Sequence, residues 1–134
     1  MKRPGIAFVV LIAVLLVAGV VAFLVVGKAY KIVSPSMSPS LQPGDRVLVI
    51  KFEGRLKPDV GDIVAYRTPG GACGTPGVIV VHRIARRTRS GSFIMRGDNA
   101  DQACDSRTHG PVPRKNLIGQ VVAIYWPPTR WALR

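Results

Sequence analysis

An unbroken apolar run over residues 6–27, IAFVVLIAVLLVAGVVAFLVVG, constrains this chain more than any other feature. The run contains no charged residue, and about 20 apolar residues are enough for a helix to cross a hydrocarbon core of roughly 30 Å. A cleaved secretory signal has an apolar region of only about 7 to 15 residues and ends at a small-x-small site. Residues 27–33, GKAYKIV, are a poor site of that kind. The run therefore predicts an uncleaved transmembrane signal-anchor helix.

The charges beside this run predict its orientation. Lys2 and Arg3 supply a positive flank of the kind that stays in the cytoplasm, while two lysines just after the span weaken the bias. We therefore expect residues 1–5 to be a cytoplasmic N-terminus and residues 6–27 to be the span. Residues 28–134 would then form one small extracytoplasmic domain of a single-pass cell-membrane protein.

All of the net charge of +12 lies outside the span. The stretch RIARRTR at 83–89 is basic, but the chain has no recognised nucleic-acid motif and no aromatic residues interleaved with the basic ones. We therefore expect no nucleic-acid partner. A basic domain held beside anionic headgroups gains attraction from each Lys or Arg near the surface, so the charge favours the lipid bilayer as a partner.

Short strands separated by turn residues fill the rest of the chain. Alternating or β-branched and aromatic segments predict strands at 46–51, 62–67, 78–87, 92–96 and 117–126. Turn residues break the pattern at 43–45, 69–77, 89–91 and 110–113. The expected fold class is mainly β: one N-terminal transmembrane helix followed by a small all-β domain that is barrel-like or built of packed sheets.

The segment VSPSMSPSLQPGDRVLV, residues 33–49, is by composition typical of a flexible or extended spacer. Its neighbours change that interpretation. Four ordered stretches span about residues 34–125: SPSMSPSL (34–41), PGDRVLV (43–49), VVHRI (80–84) and RGDNADQACD (96–105). They resemble, in this order, the nucleophile box, the following strand, the general-base box and the Gly-Asp-Asn box of the type I signal peptidase family. Members of that family are membrane-bound serine endopeptidases that remove signal peptides from exported proteins.

The resemblance implies a role for the residues of the first box. Ser36, directly before a methionine, matches the family's nucleophile. Ser34 matches the position whose hydroxyl assists the oxyanion, together with the backbone N–H of Ser36. Pro35 stands where many members have glycine. The resemblance implies neither a cofactor nor a metal ion.

The second implied role is that of the base, which must take the serine proton. Typical bacterial members use a lysine, but this chain has none between Lys57 and Lys115. The corresponding place reads Val-His-Arg, and Arg83 cannot serve because arginine stays protonated. His82 therefore matches the base, with His109 in reserve, and the chain resembles the endoplasmic-reticulum-type branch that uses serine and histidine. An ordinary histidine predicts an activity that rises with an apparent pKa near about 6 to 7.

A carboxylate normally completes a Ser-His pair. The acidic candidates are Asp98, Asp101 and Asp105. The family pattern gives the role to the later aspartate of the box, which is Asp105 here, and leaves Asp98 and Asp101 as alternatives. An aspartate within Gly-Asp-Asn is also well placed to bond its own turn, which predicts a structural role for Asp98.

Cys73 and Cys104 are the only two cysteines, and in an external domain they permit one disulfide. Neither lies in a Cys-x-x-Cys motif or beside other metal ligands. We expect a structural bridge that closes a loop of about 30 residues containing His82 and that stabilises the domain by around 3 to 4 kcal/mol.

These features together predict a membrane-bound signal peptidase of the Ser-His type that cleaves after small residues in an Ala-x-Ala-like site. Its expected partners are signal peptides of exported preproteins and the lipid bilayer, with the protein-export machinery as a further candidate. Trp126 and Trp131 are expected either at the membrane interface or in core or terminal packing. The alternative function is a catalytically silent single-span envelope protein whose β-rich domain binds a partner.

Overall fold

The computed structural model describes residues 4–53, 56–70, 73 and 77–134. Helix α1 runs over Pro4–Val26, and its part from Gly5 to Val26 is long and apolar enough to cross a membrane, with none of it buried inside the protein. A helix therefore occupies the predicted span up to residue 26. The N-terminal charges predicted to orient the span lie outside the described residues.

Helix α1 passes directly into the first strand, β1, Gly27–Lys31. The junction is tight, because a Cβ atom built on Gly27 would lie 2.9 Å from the carbonyl oxygen of Phe23. Lys51 from the neighbouring strand donates its Nζ–H to the carbonyl oxygen of Val25 at 3.0 Å. A cation at this end of the helix satisfies a free carbonyl group and complements the helix dipole.

The strands form one seven-stranded sheet in which every described pairing is antiparallel. The strands after β1 are β2 Arg46–Lys51, β3 Ile63–Arg67, β4 Ile79–Arg87, β5 Phe93–Arg96, β6 Leu117–Trp126 and β7 Ala132–Leu133. The order in the sheet is β1-β2-β6-β3-β4-β5, and the short β7 pairs with β6. The mainly β fold after one N-terminal helix is thus confirmed.

Apolar side chains cover both faces of the central strand β3. Because successive side chains of a strand point to opposite faces, Ile63 and Ala65 enter a first core and Val64 and Tyr66 enter a second. The first core also contains Ile32, Met37, Leu41, Val47, Val49, Val121 and Ile124. The second also contains Phe52, Ile84, Phe93, Met95, Val112 and Leu117. Two segments with candidate site residues enter these cores. The segment of Ser36 enters the first core through Met37, and β4, which carries His82, enters the second through Ile84.

The five predicted strands are all present, and three of them begin one residue later than predicted. The sequence did not predict β1 or β7. Part of the predicted 69–77 turn lies outside the described residues. The short helical elements outside the membrane helix include α2, Ser106–His109, and the 3-10 turns Pro35–Met37 and Ala100–Gln102.

The two tryptophans lie at the C-terminal end of the sheet. Trp126 is 51% exposed and Trp131 is 71% exposed. The indole N–H of Trp131 donates to the carbonyl oxygen of Tyr125 at 2.7 Å. The structure therefore rules out core packing for both indoles, and their position at a membrane interface stays a prediction.

Candidate active site

Ser36 lies in a fixed turn and not in a spacer. It is the middle residue of the 3-10 turn Pro35–Met37, and it is 9% exposed. Met37 anchors the turn to the domain, because its side chain is 1% exposed and packs in the first core. Ser34 caps the turn by accepting the N–H of Ser36 on its Oγ at 3.2 Å. The two groups expected to bind an oxyanion are thus hydrogen-bonded to each other in the free protein.

The Gly-Asp-Asn segment, residues 97–99, clamps this turn from the other side. Asn99 donates its backbone N–H to the carbonyl oxygen of Ser36 at 2.9 Å and its side-chain amide to the carbonyl oxygen of Pro35 at 3.2 Å. The N–H of Asp98 points at Met37 Sδ at 3.4 Å. The Gly-Asp-Asn box and the nucleophile box are therefore one structural unit, although about 60 residues separate them in the sequence.

Gly97 marks the point where the nucleophile turn meets His82. A Cβ atom built there would lie 2.7 Å from the carbonyl oxygen of Ser36 and 3.5 Å from His82 Cδ2, and it would overlap Cβ of Ala103. Because a Cβ contact under 3.0 Å forces a neighbour to shift, only glycine lets the turn and the imidazole approach this closely. Ser36 and the histidine ring are thus neighbours in space.

Strand alternation separates His82 from Arg83. His82 pairs with Val64 of β3, its side chain faces the second core, and it is 2% exposed. Arg83 points the other way and forms a two-bond ion pair with Asp98, at 2.9 and 2.7 Å. Asp98 also accepts from Ser40 Oγ at 2.6 Å. The arginine beside the candidate base therefore ties β4 to the Gly-Asp-Asn segment and the nucleophile segment.

A tyrosine hydroxyl is the hydrogen-bond partner of one ring nitrogen of His82, Nδ1. His82 Nδ1 lies 2.8 Å from the hydroxyl oxygen of Tyr66, and that oxygen lies 2.9 Å from Nε2 of His109. His109 ends α2, and its Nδ1 lies 2.8 Å from the carbonyl oxygen of Gly110. Tyr66 and His82 are fully or almost fully buried. The three side chains form a continuous hydrogen-bonded row that runs from the site into the second core.

Burial controls the protonation of His82. Desolvation lowers the pKa of His82 to about 4, against the opposing attraction of the Asp105 carboxylate, while His109 adds to the lowering. The ring is therefore neutral at pH 7 and able to accept a proton. The sequence-based expectation that activity rises with an apparent pKa near about 6 to 7 used an unburied histidine, and the burial of His82 favours a lower value.

Asp105 has a different set of partners from the one expected. Its side chain is fully buried, accepts the N–H of Gly97 at 3.0 Å and caps α2 through the N–H of Arg107 at 3.1 Å. The Arg107 guanidinium also binds both carboxylate oxygens at 2.9 Å. Burial would raise the pKa of Asp105, but these hydrogen bonds outweigh it and lower the pKa to about 2.

The hydrogen-bond partners of the three aspartates differ from those expected from the sequence. Asp105, not Asp98, holds turn backbone, while the side-chain bonds of Asp98 go to Arg83 and Ser40. Asp101 lies exposed on the 3-10 turn Ala100–Gln102. Among the hydrogen bonds of the described residues, none joins a carboxylate to His82. The triad role of Asp105 stays a prediction.

A largely apolar groove leads to Ser36 and His82. Ser34 lies at the same groove, and so do the half-cystines Cys73 and Cys104. These two are joined in a disulfide with a Cα–Cα distance of 5.8 Å. The remaining wall is formed by Tyr30, Lys31, Ile32, Val33, Met37, Val78, Ile79, Val80, Val81 and Gln102. Apolar side chains fit such a wall better than charged ones.

Sequence reasoning missed Tyr66. The signal was available in part: a tyrosine inside the buried segment IVAYR needs a partner for its hydroxyl. The partner became visible only with the register, in which Val64 lies opposite His82 and Tyr66 follows two residues later on the same face. His109, named in reserve as a base, lies behind Tyr66 as seen from His82.

The family model described as signal peptidase, peptidase S26, matches residues 5–86 and 81–126. The probable signal peptidase I-1 of Synechocystis sp. is 29% identical over 163 residues, which cover 90% of this chain and 83% of that protein.

Two eukaryotic proteins are also similar. The signal peptidase complex catalytic subunit SEC11 of Pyricularia oryzae is 32% identical over 98 residues, covering 69% of this chain and 54% of that protein. The probable thylakoidal processing peptidase 2, chloroplastic, of Arabidopsis thaliana is 28% identical over 137 residues, covering 72% of this chain. The chain spans 37% of the length of this Arabidopsis protein.

Proposed function

Because this chain belongs to the signal peptidase family, peptidase S26, we propose that it is a membrane-anchored serine endopeptidase that removes N-terminal signal peptides from exported proteins. Ser36 is the nucleophile and His82 the general base. The observation that carries the proposal is the approach of the two residues at Gly97, where the Ser36 carbonyl oxygen and the His82 ring both lie within 3.5 Å of the position that a Cβ atom would take. A neutral, buried imidazole beside a serine in a groove is the arrangement that acyl transfer requires.

The reaction follows the usual two stages of a serine peptidase. Ser36 Oγ attacks the carbonyl carbon of the scissile bond while His82 Nε2 takes the hydroxyl proton. His82 then gives this proton to the leaving amine, and the C–N bond breaks to leave an ester on Ser36. A water molecule hydrolyses the ester, with His82 again taking and returning the proton.

Ser34 serves the oxyanion in this mechanism. Its Oγ accepts from the N–H of Ser36 through a lone pair, so the hydroxyl hydrogen of Ser34 is left to donate to a developing negative charge. Opening of the Ser34–Ser36 bond when substrate binds would free the backbone N–H as the second donor. A pair of donors of this kind is usually among the largest contributions to catalysis.

Asp105 acts on His82 through charge in this proposal. Its buried carboxylate stabilises the imidazolium form of His82, as the direction of its effect on the pKa of His82 indicates, while its own oxygens stay bound to Arg107 and Gly97. The same oxygens keep the Gly-Asp-Asn segment in place. Asp105 thus supports both the geometry and the electrostatics of the site.

The substrate is an extended segment with small residues before the cleaved bond, in an Ala-x-Ala-like site. The apolar groove that leads to Ser36 supports this class. The partners are signal peptides of preproteins, the lipid bilayer and components of the export machinery. Family members that resemble this chain include a protein named as the catalytic subunit of a signal peptidase complex, which supports the last of these.

The location that fits this function is the cell membrane, crossed once by α1. The N-terminus would be cytoplasmic and the sheet extracytoplasmic. Two features support a position of the sheet close to the bilayer: α1 ends only ten residues before Ser36, and Trp126 and Trp131 are exposed, as indole rings at a membrane interface are.

Replacement of the nucleophile tests the proposal. We expect Ser36→Ala to abolish cleavage of a signal-peptide-bearing precursor with an Ala-x-Ala site, measured with the purified full chain in detergent micelles. Ser90→Ala, which removes the hydroxyl of an exposed serine, is the matched control and should cleave normally. Undiminished cleavage by Ser36→Ala would leave the silent binding protein as the function.

A further inference from the structure

A histidine that acts as a base must present an unprotonated nitrogen, so its tautomer matters as much as its pKa. In His82 the Nδ1 atom is occupied by the Tyr66 hydroxyl at 2.8 Å. The other nitrogen, Nε2, is bonded to Cδ2, the ring atom that lies beside Gly97. Catalysis by His82 therefore requires its proton on Nδ1 and a free lone pair on Nε2.

The hydrogen bonds beyond Tyr66 determine which atom donates in each contact. Nδ1 of His109 faces the carbonyl oxygen of Gly110 at 2.8 Å, and a carbonyl oxygen only accepts. Nδ1 of His109 must then carry a hydrogen, and in the ring form that carries only this hydrogen Nε2 accepts the hydroxyl hydrogen of Tyr66 at 2.9 Å. Since a tyrosine hydroxyl has one hydrogen, its oxygen accepts from His82, and the proton of His82 lies on Nδ1.

We propose that Tyr66 and His109 are positioning residues that fix His82 in its catalytic tautomer, through a hydrogen-bonded row that takes the place of a carboxylate bonded to Nδ1. This proposal rests on the proposed function of Ser36 and His82. When His82 receives the proton of Ser36, its Nδ1–H keeps its hydrogen bond to the Tyr66 oxygen, and this bond stabilises the imidazolium inside the protein. No proton has to leave Tyr66 or His109 in this step.

The surroundings of the row support a neutral chain of this kind. Tyr66 is fully buried in the second core, and burial together with the Asp105 charge raises the pKa of its hydroxyl, which therefore keeps its hydrogen at neutral pH. The groups whose charge acts on His82 are Asp105, His109, Asp98 and Arg107. Asp105 and Arg107 are bonded to each other, so neither competes with Tyr66 for Nδ1.

The tautomer can be observed directly by ¹⁵N NMR, because the chain contains only two histidines. Uniform labelling of histidine in the full chain in detergent micelles gives two sets of ring signals at pH 7.5, and His109→Gln leaves one set for assignment. We expect His82 to be protonated on Nδ1, and we expect Tyr66→Phe to shift a large part of it to the Nε2 form. Protonation on Nε2 in the unaltered chain, or no change in Tyr66→Phe, would overturn the proposal.

Kinetics supplies a second readout. Loss of one hydrogen bond to the base predicts a kcat about tenfold lower for Tyr66→Phe with KM unchanged, and the same loss for His109→Leu. His109→Gln should keep most of the activity, since its amide oxygen can accept from Tyr66. Tyr125→Phe, an exposed tyrosine, is the control and should be fully active.

A double variant shows whether Tyr66 and His109 act together through one hydrogen-bonded row or act independently of each other. If Tyr66 and His109 act in series, Tyr66→Phe with His109→Leu should be no slower than either alone. Losses that multiply, or full kcat in Tyr66→Phe, would refute the row. If Tyr66→Phe does not fold, the His109→Leu and His109→Gln pair carries the test. Failure of the proposed function would appear separately, as normal cleavage by Ser36→Ala, whatever tautomer the spectra show.

Discussion

Acidification should affect His82 before it affects the carboxylates of the site. Burial lowers the pKa of His82 to about 4 in the folded protein, whereas an unfolded chain has a histidine pKa of about 6.5. The unfolded state therefore binds this proton more readily. The contribution of His82 to stability is fully present above pH 6.5 and is lost as the pH falls from about 6.5 to about 4.

The magnitude follows from the difference between the two pKa values. A change from 6.5 to about 4, at about 1.4 kcal/mol per pH unit, corresponds to about 3 kcal/mol of unfolding free energy. His82 is 2% exposed, so little of this effect is screened by solvent. The pKa of Asp105 is about 2, which keeps its titration mostly below this range.

Urea unfolding of the full chain in micelles at pH 7 and pH 4.5, followed by tryptophan fluorescence, measures this effect. The His82→Gln variant is the reference, since it keeps a polar side chain that does not titrate. We expect the unaltered chain to lose 2 to 3 kcal/mol more than the variant between these pH values (about 1.4 kcal/mol per pH unit of proton uptake). The kcat/KM of cleavage should also stay level down to about pH 5. Equal losses in the two proteins, together with an activity limb at pH 6 to 7, would refute the reasoning.

Three further predictions test the architecture of the site. Gly97→Ala should lower kcat by about 10²-fold or more while the chain stays folded, because the new Cβ displaces the Ser36 carbonyl. A cleavage assay measures kcat, and circular dichroism measures whether the chain is folded. Asp105→Asn should cost about 2 to 3 kcal/mol of unfolding free energy and more than Asp98→Asn, because Asp105 is fully buried and bonded to a guanidinium. Removal of the Cys73–Cys104 disulfide should cost about 3 to 4 kcal/mol in urea unfolding, from the 31-residue separation of the two half-cystines.

Each of these has a control or an opposing outcome. Gly70→Ala adds a Cβ into open space and should leave kcat unchanged. A larger loss of stability in Asp98→Asn than in Asp105→Asn would contradict the argument from burial. A disulfide variant as stable as the unaltered chain would show that the loop it closes is already restrained in the unfolded state.

Local patterns were enough to predict much of the fold. The charge-free run predicted α1, and alternation together with β-branched and aromatic content predicted β2 to β6 within one residue. β1 was missed because GKAYK follows the span directly and carries two lysines on an exposed edge, so it lacks a strand-like alternation. Its pairing with β2 comes from the tertiary structure.

Only those parts of the candidate site that depend on residue type could be predicted from the sequence. Ser36 and His82 could be named from residue type and from their place in the ordered boxes, and the structure places both beside Gly97. Their roles as nucleophile and base stay predictions. The partner of Nδ1 could not be selected from residue type, because it depends on the β3–β4 register that puts Tyr66 beside His82. The low pKa of His82 could not be predicted either, because it arises from burial.

The direct passage of α1 into β1 has a mechanical consequence. The helix ends at Val26, the strand begins at Gly27, and Lys51 holds the last helical turn to β2. There is no linker between them to absorb rotation. A transmembrane helix tilts when the bilayer is thinner than its apolar length, and this tilt would turn the whole sheet and swing Ser36 towards or away from the headgroups. If α1 crosses the bilayer and Ser36 is the nucleophile, as proposed, bilayer thickness would thus help to select which peptide bond of a membrane-held precursor comes within reach of Ser36.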